Sequence, residues 1–231
     1  MTSPCSCSSG SWVPALIAIV LIGSLTTYAY FSAERAVGAT ARAGLESTAS
    51  VMASQINASE ISGLQPGDEK TPQYRAIVEK LRTMRSMDDR ILNAYILKVN
   101  PKDQTATFIV DDLTFSDPAG SAKIGEVSTD PNKDAIFTAL AVPTSSKEPY
   151  TTKYGSFMTG YAPIDDSAAD SSGNTVAVLA IDISAGTYNN AIKASGFSIL
   201  LTGIVSMVLV AGCFLLCSRA AWEKGGKEDR I

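Results

Sequence analysis

Two long uncharged stretches divide the chain into three parts. The first occupies positions 12–31 and the second positions 197–217, and neither contains an acidic or a basic residue. At 1.5 Å per residue in an α-helix, each stretch reaches about 30 Å, the thickness of the hydrocarbon core of a bilayer. The expected organisation is an N-terminal tail 1–11, a transmembrane helix 12–31, a polar domain 32–195, a second transmembrane helix 196–217 and a C-terminal tail 218–231.

Helical periodicity marks two segments of the polar domain. Apolar and small residues recur at spacings of three and four between Val37 and Ile56, so the first transmembrane helix is expected to continue outward as a long amphipathic helix over 33–61. Its apolar face would pack either on its own domain or on a second copy of the chain, as a homodimer. Thr71 and Pro72 have the N-cap and first-turn preferences of a second helix. The apolar stripe of that helix comprises Tyr74, Ile77, Val78, Leu81 and Met84.

Strand patterns follow the second helix. Short runs rich in β-branched and aromatic residues, each bounded by turn residues, predict several antiparallel strands. The expected elements are strands at 91–99 and 106–110, a third helix at 132–140 capped by Asp130 and Pro131, and a meander of strands between 149 and 184. This order predicts an α+β fold with a central antiparallel sheet, flanking helices and a long N-terminal helix, between two transmembrane helices.

The last strand of the meander, 175–183, is apolar at nearly every position and is therefore expected at the centre of the sheet. Asp182 interrupts its apolar run, and an unpaired carboxylate inside such a strand carries a large desolvation cost. We expect Asp182 to face a pocket, where it meets a cationic or hydrogen-bond-donating group of a ligand or of Arg85. Ser184 is expected to cap a final helix that continues unbroken into the second span.

The amino-acid composition excludes several kinds of catalytic and metal site. The chain has no histidine, which excludes a Ser-His-Asp triad, a Cys-His pair and a histidine-ligated metal. The carboxylate doublets at 88–89, 111–112 and 165–166 are more typical of turns than of a shared proton or metal, because neighbouring strand residues point to opposite faces. The four cysteines lie in the N-terminal tail and the second apolar stretch, without metal-ligand spacing. We therefore expect no enzymatic activity, no metal and no cofactor.

The distribution of charge predicts the orientation in the membrane. Arg219, Lys224, Lys227 and Arg230 follow the second span, whereas the N-terminal tail is uncharged. Because basic residues favour the cytoplasmic side, the C-terminal tail is expected in the cytoplasm, and two spans place the N-terminal tail there too. The central domain is then extracytoplasmic in a two-pass protein of the cell membrane. Its mildly acidic composition argues against nucleic acid as a partner.

The C-terminal part of the domain carries a series of motifs. The run PYT…YG…GYAPI…VAVLAIDIS between Pro149 and Ser184 resembles the C-terminal half of a Cache domain, the PAS-like extracytoplasmic sensor module of prokaryotic chemoreceptors, sensor kinases and cyclases. The resemblance extends over about 34–190 and implies a PAS-like fold. It also implies that Asp182 and Tyr150 occupy positions that contact the ligand in amino-acid-binding members. Tyr161, Tyr95 and Arg85 complete the candidate ligand-binding set.

Taken with the two spans, this resemblance predicts a membrane-anchored extracytoplasmic small-molecule sensor module. Only 14 residues follow Cys217, so we expect no output domain in the chain itself. The signal would pass to a separate cytoplasmic output protein, or the chain is a truncated receptor. The alternative is a non-signalling, membrane-anchored surface or assembly protein whose PAS-like domain binds no ligand.

Overall fold

A computed structural model describes residues 12–164 and 176–228, with side chains placed for 12–164 and 177–219. The predicted tail 1–11 and the doublet Asp165-Asp166 lie outside these described residues. The helices are α1 (Val13–Ala53), α2 (Ala58–Ile61), α3 (Pro72–Arg85), α4 (Lys133–Thr138) and α5 (Ala185–Glu228). The strands are β1 (Ile91–Asn100), β2 (Thr105–Asp111), β3 (Thr144–Ser145), β4 (Tyr150–Thr152), β5 (Gly155–Ile164) and β6 (Val176–Ser184). The chain divides into two units, one of residues up to Val37 and from Ile192, the other Gly38–Ala191.

The first unit contains the apolar parts of α1 and α5, two helices that are long and apolar enough to cross a membrane. They contact each other at glycines: a Cβ built on Gly203 would lie 2.4 Å from Thr26, and one on Gly196 would lie 2.4 Å from Tyr30. Small residues allow such close approach between membrane helices. Both helices run unbroken through the predicted spans, which is compatible with a two-pass membrane protein.

The second unit, Gly38–Ala191, is built on a curled antiparallel sheet of strand order β2-β1-β6-β5-β3, with β4 also paired to β5. β6 lies at the centre of this order, which confirms the expectation drawn from its apolar sequence. Leu179 and Ile181 are fully buried. The register shifts between Ile96 and Leu97 in the β1–β2 pair, and between Ile91 and Asn93 in the β1–β6 pair. Such bulges increase the local twist and bend the strand, which contributes to the curl of the sheet.

The part of α1 that belongs to the second unit packs on the sheet. A Cβ built on Gly160 of β5 would lie 2.8 Å from the carbonyl oxygen of Leu45, so the helix backbone rests almost directly on this strand. Leu45, Met52 and Ile56 of the predicted stripe are buried within the unit, which supports packing on the chain's own domain. A homodimer through 33–61 stays a prediction. The helix ends at Ala53 rather than at position 61, because the Asn57 side chain accepts from the Ser59 amide and starts the separate helix α2.

The second predicted helix is confirmed. The Thr71 hydroxyl accepts from the Tyr74 amide at 3.2 Å, and Pro72 is the first residue of α3. The predicted stripe is buried except for Met84, which is half-buried. The third helix, α4, is shorter than predicted and begins at Lys133.

The sheet face opposite Gly160 carries an apolar cluster covered by α4 and by the connection 112–132. The cluster includes Leu97, Val99, Phe108, Tyr161 and Val178 from the sheet, with Ala122 from the connection and Ile136 from α4. In this connection the described pairing with the sheet is an isolated bridge between Thr107 and Val127. The long aperiodic connection therefore forms the cover over this face of the sheet.

Candidate functional site

A small polar cavity lies on the covered face of the sheet. Its volume is about 30 Å³, enough for about one water molecule. Strands β1, β2, β4, β5 and β6 and the connection before α4 all contribute to its wall. The polar and charged lining includes Asn93, Tyr95, Asp111, Asp130, Tyr150 and Asp182.

Asp182 lines this cavity and is 3% exposed. The strand register places it beside Thr159 of β5 and Asn93 of β1, and directly paired residues of neighbouring strands lie close together on the same face of the sheet. The Thr159 hydroxyl contacts Oδ1 of Asp182 at 2.5 Å, the Tyr95 hydroxyl donates to the same oxygen at 3.4 Å, and the Asn93 side chain also donates. Burial, assisted by the negative charge of Asp130, raises the pKa of Asp182 to about 7.

Asp130 supplies a second buried carboxylate, 5% exposed, from the connection before α4. Its Oδ1 accepts from the backbone amide of Asn132 at 2.8 Å and from the side-chain amide of the same residue at 2.9 Å. Its Oδ2 accepts from the hydroxyl of Tyr150 at 2.9 Å and from the hydroxyl of Tyr161. Four donors therefore surround this carboxylate.

Tyrosine hydroxyls join the two carboxylates into one network. The Tyr150 hydroxyl lies 2.7 Å from the Thr159 hydroxyl, so Asp130, Tyr150, Thr159 and Asp182 form a continuous chain of polar contacts. Burial raises the pKa values of Tyr95, Tyr150 and Tyr161 above the usual value of the phenol. These tyrosines are therefore neutral around pH 7 and offer hydroxyl groups as donors and acceptors.

Arg85 is not the partner of Asp182. Its Nε donates to Oδ2 of Asp112 at 2.5 Å, and its guanidinium also donates to the Leu92 carbonyl oxygen at 3.2 Å. Asp112 is fully buried and also accepts from the Ala94 amide at 2.9 Å. The guanidinium is therefore held by a carboxylate next to β1, and Arg85 is absent from the described lining of the cavity.

Asp111 contributes to the cavity wall from the end of β2. Its two carboxylate oxygens accept from the backbone amides of Leu113 and Ala122, each at 2.8 Å. Burial raises its pKa to about 6. Asp111 therefore organises the turn after β2, as expected for the doublet, whereas the Asp112 side chain binds Ala94 and Arg85. Both side chains are buried.

The structure brings together four of the five sequence-predicted site residues. Asp182, Tyr95 and Tyr150 line the cavity, and Tyr161 reaches the same network through its hydroxyl. Sequence reasoning missed three members of the network, Asn93, Thr159 and Asp130. The first two are cross-strand neighbours of Asp182, so the strand register would have found them. The sequence predicts Asp130 as a helix cap, but the N-cap residue of α4 is Asn132, and Oδ1 of Asp130 accepts from the Asn132 amide before the helix begins.

This arrangement places hydroxyl donors and the carboxylates of Asp111, Asp130 and Asp182 around one cavity, and no Lys or Arg is among the described residues that line it. In the part of the chain that the structure describes, no group of three or more acidic or cysteine side chains is placed to hold a metal ion. No family model matches the chain, and no curated protein matches it.

Proposed function

We propose that the chain is a membrane-anchored extracytoplasmic sensor module, and that its PAS-like domain binds a small molecule with a cationic or hydrogen-bond-donating group. The observation that carries the proposal is the pair of buried carboxylates, Asp130 and Asp182, on a cavity whose described lining lacks a basic residue. A buried charge persists when it is paired or hydrogen-bonded. Both carboxylates are hydrogen-bonded, and a ligand cation would add a positive charge next to them.

The tyrosines suit such a ligand as well. Tyr95 and Phe108 present aromatic rings with centroids 5.2 Å apart, and Tyr154 lies edge-on to Phe108 at 6.4 Å. Cations bind favourably to the faces of aromatic rings, and apolar parts of a ligand pack on them. Because the cavity has a volume of about 30 Å³, a ligand larger than one water molecule requires the cover to move outward.

Signal transfer follows from the order of elements. β6, which carries Asp182, ends at Ser184, and the Ser184 hydroxyl accepts from the Thr187 amide in the first turn of α5. A displacement at Asp182 would therefore reach the helix that continues into the second predicted span. A cytoplasmic output protein would receive the signal from that helix.

The second candidate is a non-signalling surface or assembly protein with a ligand-free domain. The small cavity favours it, since small-molecule sites usually enclose about 300 Å³ or more. In that case the polar network would serve only to hold the cover on the sheet.

A thermal-shift screen of the full chain in detergent micelles tests the two candidates. Primary amines would be compared with the alcohol and the carboxylic acid of the same carbon skeleton. A ligand at 100 times its Kd adds about 2.7 kcal/mol to the free energy of unfolding, so one amine should raise the unfolding temperature while its alcohol and acid analogues do not.

Asp182→Ala should abolish that increase, whereas Asp134→Asn, an exposed change on α4, should preserve it. Amines that leave the unfolding temperature unchanged throughout the screen, or an increase that survives in Asp182→Ala, would overturn the sensor proposal in this form and favour the ligand-free domain.

A further inference from the structure

A path of hydrogen bonds through two hydroxyl groups connects Asp130 to Asp182, and its contacts determine how many protons the path must contain. Three oxygen–oxygen contacts join the two carboxylates in series: Asp130 to Tyr150 at 2.9 Å, Tyr150 to Thr159 at 2.7 Å, and Thr159 to Asp182 at 2.5 Å. Each contact at such a distance is a hydrogen bond and requires one proton between its oxygens. The two hydroxyl groups supply only two protons, because Tyr and Thr each carry one O–H.

The third proton must therefore belong to a carboxyl group. If both aspartates were ionised, one of the three contacts would bring two oxygen lone pairs together without a proton. We propose that Asp130 and Asp182 bind one proton between them through the hydroxyls of Tyr150 and Thr159, and that this pair gives the domain a pH-sensitive site. The inference concerns the protein without any ligand and holds whether or not the domain is a sensor.

The remaining donors assign the proton to Asp182. Asp130 accepts four hydrogen bonds, two from Asn132, one from Tyr150 and one from Tyr161. A carboxylate with several donors is stabilised in its charged form. Asp182 has one donor fewer, since among the described residues only the Thr159 hydroxyl at 2.5 Å, the Tyr95 hydroxyl at 3.4 Å and the Asn93 side chain reach it. The chain of donors then runs from the Asp182 carboxyl to Thr159, from Thr159 to Tyr150, and from Tyr150 to the Asp130 carboxylate.

The groups that face this pair favour the same state. Two carboxylates in one buried site disfavour double ionisation, and the negative charge of Asp130 raises the pKa of Asp182. No Lys or Arg lies among the described lining residues to offset that effect. The titratable groups that face the pair in this cavity are Tyr95 from β1, Asp111 from β2, Tyr150 from β4, Tyr154 from the turn before β5, and Tyr161 from β5. Lys133 of α4 lines a second cavity together with Asp130.

The shared proton gives the site a pH response. Deprotonation leaves two negative charges and removes one hydrogen bond from the chain, so the contacts between the cover and β6 weaken as the pH rises. A ligand cation placed at Asp182 would replace the proton, and its binding would release one proton. The pH midpoint measured for the loss of this proton is therefore a property of Asp130 and Asp182 together rather than of either residue alone.

Infrared spectroscopy of the full chain in detergent micelles tests the proposal, because a protonated carboxyl has its own C=O stretching band. Spectra would be recorded between about pH 5 and about pH 9, a range that brackets the expected titration. The wild-type chain should show a band that disappears as the pH rises. Asp182→Asn should remove that component, whereas Asp134→Asn, exposed on α4, should retain it. The Asp111 carboxyl contributes a separate component that both variants keep.

Three further variants test the chain of contacts itself and cover the case in which Asp182→Asn does not fold. Asp130→Asn should lower the pH midpoint of the band, because the neighbouring negative charge is removed. Thr159→Val should raise it by about one pH unit, since the ionised Asp182 loses a hydrogen bond. Thr159→Ser, which keeps the hydroxyl, should restore the wild-type midpoint. A band that is unaffected by Asp182→Asn, or a midpoint unmoved in both Asp130→Asn and Thr159→Val, would overturn the proposal.

Discussion

Two arginines three positions apart on α3 meet carboxylates in different surroundings. Arg85 pairs with Asp112, whose side chain has no exposed surface, whereas Arg82 pairs with Glu79, whose side chain is 56% exposed. Removing one member of a buried pair leaves an uncompensated buried charge, while an exposed pair contributes little. The two positions therefore form a matched test on one helix.

Arg85→Ala is expected to lower the free energy of unfolding by about 3 kcal/mol, because Asp112 would remain buried without its cation. Arg82→Ala should lower it by less than about 0.5 kcal/mol. Both changes in the free energy of unfolding can be measured by unfolding the full chain in micelles with guanidinium and monitoring the circular dichroism of the β-sheet. Equal effects of the two changes would contradict the assignment of Arg85 to a buried pair.

At the residue scale, the sequence predicted a buried Asp182 because a single carboxylate interrupts an apolar strand. Its partners could not be predicted in the same way. Asp112 was the better partner for Arg85 because the end of β2 lies close to the end of α3, and that proximity depends on how the helix packs on the sheet. Asp130 approaches Asp182 only because the connection 112–132 folds back over the sheet, and this connection has no periodicity from which its path could be derived.

At the element scale, the contact of α1 with β5 depends on Gly160. This residue lies in the strand interior, where alanine would normally be preferred to glycine on conformational grounds. A Cβ at this position would nevertheless lie 2.8 Å from the backbone oxygen of Leu45. Backbone atoms cannot rotate away as a flexible side chain does, so either the helix or the strand would have to shift.

Gly160→Ala is therefore expected to destabilise the domain by about 1 to 3 kcal/mol, the usual cost of overpacking. Gly44→Ala provides the control: it lies inside α1 and has no atom within 4 Å of an added Cβ. Because alanine favours the helix over glycine, this change should stabilise by up to about 1 kcal/mol. If α1 rests on β5 at this point, the unfolding temperature should fall in Gly160→Ala and rise in Gly44→Ala. A stabilising Gly160→Ala would contradict that packing.

The starts of α3 and α5 were predicted correctly because a capping side chain marks each of them. The N-cap at Thr71 and the cap at Ser184 are governed by side chains that bind nearby amides, so short-range chemistry was sufficient to predict them. The end of α1 was mispredicted because the apolar spacing continues to Ile56, which is buried beyond the last helical residue. Burial at that position is achieved by a turn and a second short helix, and hydrophobic spacing alone does not distinguish these from a continuous helix.

At the scale of the whole molecule, the two long apolar helices were the most predictable feature. A bilayer imposes a minimum length of uncharged sequence, so the pattern itself contains the required information. Both helices extend well beyond the uncharged windows, with α1 spanning 41 residues and α5 spanning 44. Orientation depends instead on the few basic residues after the second span, and it leads to a direct experiment.

Labelling of introduced cysteines tests that orientation. The native cysteines at positions 5, 7, 213 and 217 are first replaced by serine, so that only the introduced cysteine can react. Met87→Cys lies in the central domain at a side chain that is 79% exposed, and Arg230→Cys lies in the C-terminal tail. A membrane-impermeant maleimide should label Met87→Cys in intact cells and Arg230→Cys only after the membrane is permeabilised. The opposite pattern would keep two spans and contradict the charge-based orientation. Labelling of both variants in intact cells would contradict the two-span topology itself, because an odd number of crossings between the two positions must place them on opposite sides.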